Sequence, residues 1–208
     1  DAVQVVGKQP VRMAALGGDF ALISAHKFGG PKGVGALWYL GKQEPRTVIR
    51  GGGQEKGRRS GTENVVAIAG FGAAAEAAKR DLEEGVWERV AKLRIILEET
   101  LAEAAPDLII FGNDVERLPN TSCFAVPGWK GETQVMQMDL AGFAVSAGAA
   151  CSSGKTGGSR VLQAMGWDAQ TSASALRVSL GWSTRENEVR SFSDAWTTHY
   201  HRRATRAA

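Results

Sequence analysis

Short apolar runs separated by polar and glycine-rich segments predict a chain that mixes helices and strands. The runs at residues 20–23 and 36–40 have the length and the composition of strands. A glycine- and arginine-rich stretch at residues 50–62 lacks both helical and strand periodicity, so it is predicted to be a loop. The alanine-rich residues 63–80 predict the first long helix.

A second long helix is predicted over residues 86–105. Its apolar residues recur every three or four positions and form one face: Val90, Leu93, Leu97 and Leu101. Pro106 cannot continue a helix and is expected to end this one. The segment therefore predicts an amphipathic helix that packs on a core along one stripe.

After residue 106 the pattern changes to short alternating elements. The predicted strands are 108–111, 122–126, 143–146 and 176–180, and a helix is predicted at 132–140. A capping box from Ser183 to Glu186 is expected to open the last helix. This change in the pattern of predicted elements indicates a domain boundary near residues 80–85. The boundary divides the chain into residues 1–82 and 83–208.

Composition and charge narrow the function classes. The net charge of +3 is mild and no long basic block occurs, so nucleic-acid binding gains little support. No apolar run approaches the roughly 18 residues of a membrane span, so no membrane segment is expected. The chain has two cysteines, too few for a disulfide framework, and we expect a reducing compartment, the cytoplasm.

The most informative stretch is residues 24–35, which lies between the first two predicted strands. It places Ser24, His26 and Lys27 together, followed by four glycines. A lysine that forms a Schiff base beside a bound phosphate needs such neighbours, because the phosphate requires short donors and close backbone approach. The alternative is an exposed lysine in a glycine-rich hairpin.

The two cysteines lie in contrasting surroundings. Cys151 is flanked by glycine, alanine and serine, which predicts an accessible thiol on a loop. Cys123 lies in a predicted strand beside Phe124 and is expected to be a core residue.

Three further residues are ambiguous from their local sequence. Arg177 alternates with apolar residues on a predicted strand, so it is either an edge-strand residue or a fork aimed at a carboxylate, and the strand alone favours the first. His199 and His201 near the chain end are expected to belong to a solvated helix end, and no intrinsic metal site is expected.

Five motifs in order together resemble the cysteine desulfurases of the NifS/IscS type, which are class V aminotransferase-like, fold-type I pyridoxal-phosphate enzymes. The motifs are Asp1-Ala2-Val3-Gln4; Ser24-x-His26-Lys27 with Gly30-Pro31-Lys32-Gly33-x-Gly35; Gly51-Gly52-Gly53-Gln54-Glu55-x-Gly57-x-Arg59-Ser60-Gly61-Thr62; Ser146-x-Gly148-x-Ala150-Cys151; and Leu176-Arg177-x-Ser179-Leu180-Gly181. The resemblance implies the C-terminal part of the large α/β cofactor domain at residues 1–82. A smaller α+β domain with the sulfur-carrier loop would follow at residues 83–208.

The resemblance also implies a pocket for pyridoxal 5'-phosphate. Lys27 would hold the cofactor covalently and later move the substrate α-proton. Asp1 would pair with the pyridine nitrogen, and Gln4 would bind the ring hydroxyl. Ser24 and His26 would donate to the phosphate.

Three more roles follow from the same resemblance. Thr62 would reach the phosphate of the cofactor in the neighbouring subunit, which implies a homodimer. Arg177 would bind the substrate carboxylate. Cys151 would take the substrate sulfur as a persulfide, and it can transiently ligate an iron–sulfur cluster.

The implied reaction converts L-cysteine to L-alanine and delivers sulfur to an iron–sulfur scaffold or another sulfur acceptor, with no nucleic-acid or membrane partner. The matching motifs correspond to the C-terminal half of such an enzyme, so the chain alone is expected to be inactive. Two alternatives remain open. One is another class V aminotransferase-like enzyme in which Cys151 is incidental, and the other is a truncated module that only binds partners.

Overall fold

A computed structural model describes residues 1–41, 43–147 and 158–207. The contacts of these residues divide the chain into two units, Asp1–Val86 and Trp87–Ala208. Each unit combines helices with antiparallel strands. In the part of the chain that the structure describes, no helix combines the length and the apolar character that a membrane crossing requires.

The first unit contains one antiparallel strand pair, β1 (Phe20–Ser24) and β2 (Gly35–Tyr39). Both match the predicted strands to within a residue. Ser24 pairs with Gly35 at the end of the ladder, where a β-carbon on residue 35 would lie 2.5 Å from the carbonyl oxygen of Ile23. The close approach of two backbones therefore requires glycine at this position.

One long helix, α1 (Val65–Glu83), completes the first unit. It begins two residues later than predicted, because the side chain of Asn64 caps it by accepting a hydrogen bond from the amide of Ala67. Leu22 and Leu37 are paired across the strands and are about half exposed. The strand pair thus leaves apolar surface uncovered in the described residues.

In its described residues, the second unit packs three longer and two short helices on a four-stranded sheet. Its elements in order are α2 (Val86–Ala104), β3 (Ile109–Ile110), β4 (Thr121–Ala125), α3 (Gly131–Leu140), β5 (Ser146–Ala147), α4 (Arg160–Ala164), α5 (Ala169–Ala173), β6 (Ala175–Ser179) and α6 (Glu186–Ala207). The strand order is β3-β4-β6-β5 and every pair is antiparallel. The β6 strand is therefore an interior strand of this sheet.

The two faces of the sheet hold different cores. One face packs Phe124, Leu176 and Val178 against α2 and Trp196 of α6. All four residues that were predicted to form the apolar face of α2 are buried in this cluster, which confirms that face. The opposite face holds a smaller cluster around Phe111, Ala125, Leu162 and Ala175.

Two short helices, α4 and α5, were missed by the sequence analysis. The capping box that was predicted at the start of the last helix is wrong. The side chains of Ser159 and Asp168 cap α4 and α5 at their first turns. The last helix starts at Glu186, so Ser183 is not its N-cap residue. Glu188 reaches back to accept a 2.7 Å hydrogen bond from the amide of Arg185, so one half of a capping box forms two residues later.

Gly131, the first residue of α3, should be intolerant of substitution. A β-carbon there would collide with the carbonyl oxygen of Ala175 on β6. We expect Gly131→Ala to lower the free energy of unfolding by about 1–3 kcal/mol in a urea titration of the full-length protein. Gly72→Ala is the matched control, because Gly72 is exposed within α1 and its added β-carbon would meet no atom within 4 Å. That change should stabilise by about 0.5–1 kcal/mol, and an equal effect at both positions would contradict the packing argument.

Candidate functional site

The lysine turn, Ala25–Lys27, follows β1 directly as one turn of 3-10 helix. Ser24 Oγ and His26 Nδ1 lie 2.9 Å apart in hydrogen-bonding contact. Ala25 is fully buried, and its carbonyl accepts a 2.9 Å hydrogen bond from the amide of Gly30, where a β-carbon would lie 2.8 Å from that of Ala25. The buried Ala25 thus fixes the backbone of the turn, while Lys27 and His26 remain exposed.

The Asp1–Gln4 segment lies next to the strand that leads into the lysine turn. The amide of Ala2 donates a 3.1 Å hydrogen bond to the carbonyl of Leu22 in β1. The Asp1 carboxylate accepts a 2.8 Å hydrogen bond from the amide of Val3, which fixes the carboxylate locally. Asp1 and Gln4 are exposed. The structure therefore brings the first two sequence motifs together, as a site that used both would require.

Lys8 joins these two motifs and was missed by the sequence analysis. It is only 9% exposed, and its ammonium donates hydrogen bonds to the carbonyls of Gln4 at 2.8 Å and Lys27 at 3.4 Å. Burial lowers the pKa of Lys8, and the charge of Lys27 lowers it further. The sequence signal for this role is weak, because a lysine after glycine is common on protein surfaces.

The arginine-rich loop at residues 50–62 is a surface loop, as predicted. Arg58 forms a 2.7 Å ion pair with Glu44, and its guanidinium lies 5.6 Å from the ring centre of Tyr39. Glu55 and Lys56 adopt left-handed backbone angles, with φ of 51° and 55°, which residues other than glycine seldom adopt. Thr62 is exposed just before α1. Its role toward a neighbouring subunit stays a prediction.

Arg177 lies on β6 between β4 and β5, so the edge-strand interpretation is wrong. It is opposite Cys123 on one side and Ser146 on the other. Arg177 is half-buried, and its buried Nε forms no hydrogen bond with any residue that the structure describes. An unsatisfied guanidinium N–H is costly, and a carboxylate is its best partner. The role of Arg177 toward a substrate carboxylate stays a prediction.

The two cysteines differ in what the structure shows of them. Cys123 is half-buried and packs against the smaller core cluster rather than lying fully in the core. Burial raises its pKa to about 11, although the charge of Arg177 opposes this, so it is a neutral thiol at neutral pH. Cys151 lies outside the described residues.

The described residues on either side of Cys151 are fixed to the second unit. On one side Ser146 and Ala147 pair with β6 as the strand β5. On the other side the amide of Ser159 donates a 3.3 Å hydrogen bond to the carbonyl of Ser172. Ser159 also caps α4. Both flanks of the cysteine motif are therefore held next to the sheet that contains Arg177.

The donor set of the lysine turn fits pyridoxal 5'-phosphate better than a metal. A hydroxyl, an imidazole and an exposed amine lie within four consecutive residues, which suits a phosphate and an aldehyde. In the described ranges, no group of three or more His, Cys, Asp or Glu side chains is arranged to hold a metal ion. The turn thus has donors of the right kind for the cofactor phosphate and an amine for its aldehyde.

Comparison with known proteins assigns the family. The chain belongs to the aminotransferase class-V family, whose model matches residues 1–192. The cysteine desulfurase of Cereibacter sphaeroides is 46% identical over 186 residues, which are 88% of this chain and 47% of that protein. The cysteine desulfurase of Klebsiella pneumoniae is 40% identical over 189 residues, which are 91% of this chain and 47% of that protein. These relatives confirm the resemblance found in the sequence motifs.

Solved structures agree with the sequence comparison. The NifS-like protein from Rickettsia africae ESF-5 matches with a TM-score of 0.85 and 36% identity, over 96% of this chain and 52% of that chain. This confirms the predicted α/β, fold-type I class. The chain spans about half the length of the relatives that it matches. The division into a large cofactor domain at residues 1–82 and a small domain at residues 83–208 stays a prediction.

Proposed function

We propose that the full-length protein is a cysteine desulfurase that converts L-cysteine to L-alanine and retains the sulfur as a persulfide. The observation that supports this most strongly is the lysine turn, where Lys27 lies exposed beside the Ser24–His26 hydrogen bond and next to the Asp1–Gln4 segment. Relatives at 40–46% identity that are named cysteine desulfurases support the same activity.

The proposed cofactor is pyridoxal 5'-phosphate, which when bound supplies an electron sink for negative charge at the substrate α-carbon. The residues that would hold it are Asp1 at the pyridine nitrogen, Gln4 at the ring hydroxyl, and Ser24 and His26 at the phosphate. The amine of Lys27 would hold the cofactor covalently and would then move the substrate α-proton. Lys27 is exposed in the turn that follows β1, so its amine can reach both the cofactor aldehyde and the substrate α-carbon.

Cys151 is the proposed sulfur acceptor. Its thiolate attacks the sulfur of the substrate, so a sulfur–sulfur bond forms as the carbon–sulfur bond of cysteine breaks. The α- and β-carbons are then protonated, and the products are L-alanine and a Cys151 persulfide, which balances the atoms of one cysteine and one thiol. A neighbourhood of glycine, alanine and serine, with both flanks held by the second unit, supports this role.

Arg177 is the proposed anchor of the substrate carboxylate, and its removal should weaken substrate binding. A charge-assisted hydrogen bond contributes about 1.5–3 kcal/mol, so Arg177→Met should raise KM for L-cysteine about 10–100-fold with a smaller change in kcat. Arg190→Met is the control, since Arg190 is exposed on α6 and forms an ion pair with Glu186 one helix turn away. Equal KM values for the two variants would show that Arg177 does not bind the substrate carboxylate.

The proposed assembly is a homodimer that delivers sulfur to an iron–sulfur scaffold or another acceptor. The exposed arginine-rich loop, with Thr62 at its end, supports a role at a subunit interface. Its groups are mainly polar and it contributes little buried apolar surface to its own unit. Thr62 would then donate to the cofactor phosphate of the partner subunit. The identity of the acceptor protein is open.

Product analysis tests the proposed function. The full-length protein, supplied with pyridoxal 5'-phosphate, L-cysteine and a thiol reductant, should form L-alanine and sulfide in equal amounts. Pyruvate with sulfide and no alanine would indicate a lyase. Amino-group transfer to an added keto acid, with sulfur left on the substrate, would indicate an aminotransferase.

A further inference from the structure

Lys8 is a buried cation that the proposed chemistry does not yet use. It is 9% exposed, and among the residues that the structure describes no carboxylate forms an ion pair with it. Its ammonium instead donates hydrogen bonds to two backbone carbonyls. Burying a charge without a counter-charge is unfavourable, and burial accordingly lowers the pKa of Lys8. A surface position would avoid this cost.

The two carbonyls that Lys8 binds belong to the two motifs of the candidate site. The carbonyl of Gln4 lies four residues before it, and that of Lys27 lies nineteen residues after it. One ammonium therefore connects the Asp1–Gln4 segment to the residue whose amine would hold the cofactor.

A second contact supports the same junction. Gly7, with a φ of 81°, lies so close to the lysine turn that a β-carbon on it would be 2.7 Å from Cβ of Phe28. Phe28 in turn packs against the ring of Phe71 in α1, with ring centres 5.7 Å apart. The backbone around Lys8 is thus pressed against the residue that follows Lys27. Loss of the ammonium would remove the two hydrogen bonds through which Lys8 joins the Asp1–Gln4 segment to Lys27.

We infer that Lys8 is a positioning residue that sets the location of Lys27 relative to the Asp1–Gln4 segment through these two carbonyl hydrogen bonds. The inference rests on the proposed function, because the placement of Lys27 matters only if its amine holds the cofactor. Lys8 itself touches neither the cofactor nor the substrate in this role.

A double-mutant cycle on the full-length apoprotein tests the inference. The dissociation constant of pyridoxal 5'-phosphate is measured by absorbance for Lys8→Met in the wild-type and in the Lys27→Ala background. We expect about a tenfold weakening in the wild-type background and less than about a threefold weakening when Lys27 is absent. Lys79→Met is the control, because Lys79 is 76% exposed on α1 in the same unit.

Each outcome of the double-mutant cycle either supports or overturns the positioning role of Lys8. Equal weakening in both backgrounds would mean that Lys8 only supports the fold, and no weakening would remove it from the site, so either result overturns the inference. If Lys8→Met does not fold, Lys8→Gln keeps a shorter donor and should show the same dependence on Lys27 with a smaller loss. If Lys27→Ala alone leaves cofactor affinity unchanged, the proposed function fails first, and that result is separate from the behaviour of Lys8.

Discussion

Replacing Lys27 with alanine should abolish both covalent cofactor binding and alanine formation in the full-length protein. The variant removes the amine that is proposed to hold the cofactor and to move the α-proton, so the rate of alanine formation should fall about 10³-fold or more. The visible absorbance band of the lysine-bound cofactor should disappear at the same time. The measurement is an absorbance spectrum of the purified protein together with an alanine assay.

Lys32→Ala is the control for this prediction. Lys32 is an exposed lysine in the same loop, five residues after Lys27. Its loss removes an equal charge from the same neighbourhood, so the absorbance band and the rate should stay close to those of the wild type. An absorbance band that persists in Lys27→Ala would show that another amine holds the cofactor.

Replacing Cys151 with alanine should stop cysteine turnover while leaving the cofactor in place. The variant has no thiolate to take the sulfur, so alanine formation should fall about 10³-fold or more. The cofactor absorbance should be unchanged, because no predicted cofactor ligand is altered. An aminotransferase in which Cys151 is incidental would keep its rate.

Cys123→Ala provides the matched control. Cys123 is half-buried and its pKa is raised to about 11, so the thiol stays protonated and unreactive at neutral pH. Its replacement should leave alanine formation nearly intact. Alkylation by iodoacetamide offers a second readout, since labelling of Cys123 should increase only as the pH approaches about 11. Fast labelling of Cys123 at neutral pH would contradict the burial argument.

The elements with strong periodicity could be predicted from the sequence. The apolar face of α2 is buried as the spacing required, and β1 and β2 begin and end within a residue of their apolar runs. The predicted strand at 143–146 is shorter, as β5 (Ser146–Ala147). The amide of Phe143 bonds to the carbonyl of Met138 in α3, and its ring packs on Phe192. Tertiary contacts therefore prevail over the alternating pattern here.

The candidate site was predictable only in part, because local sequence does not show which strand is interior. Arg177 alone is better explained as an edge residue, and only the order β3-β4-β6-β5 places it inside the sheet, where its Nε has no hydrogen-bond partner among the described residues. Lys8 was not identified at all. Its two acceptors are backbone carbonyls at Gln4 and Lys27, and backbone acceptors leave no trace in residue types.

The most direct test of the central claim is the mass of the Cys151 peptide after one turnover. The full-length protein, loaded with pyridoxal 5'-phosphate, is mixed with one equivalent of L-cysteine without reductant, and the thiols are then alkylated and the peptides analysed by mass spectrometry. We predict that the Cys151 peptide gains one sulfur atom for each L-alanine formed, whereas the Cys123 peptide gains none. L-alanine without added sulfur on Cys151, or added sulfur on Cys123 instead, would contradict the proposed desulfurase mechanism.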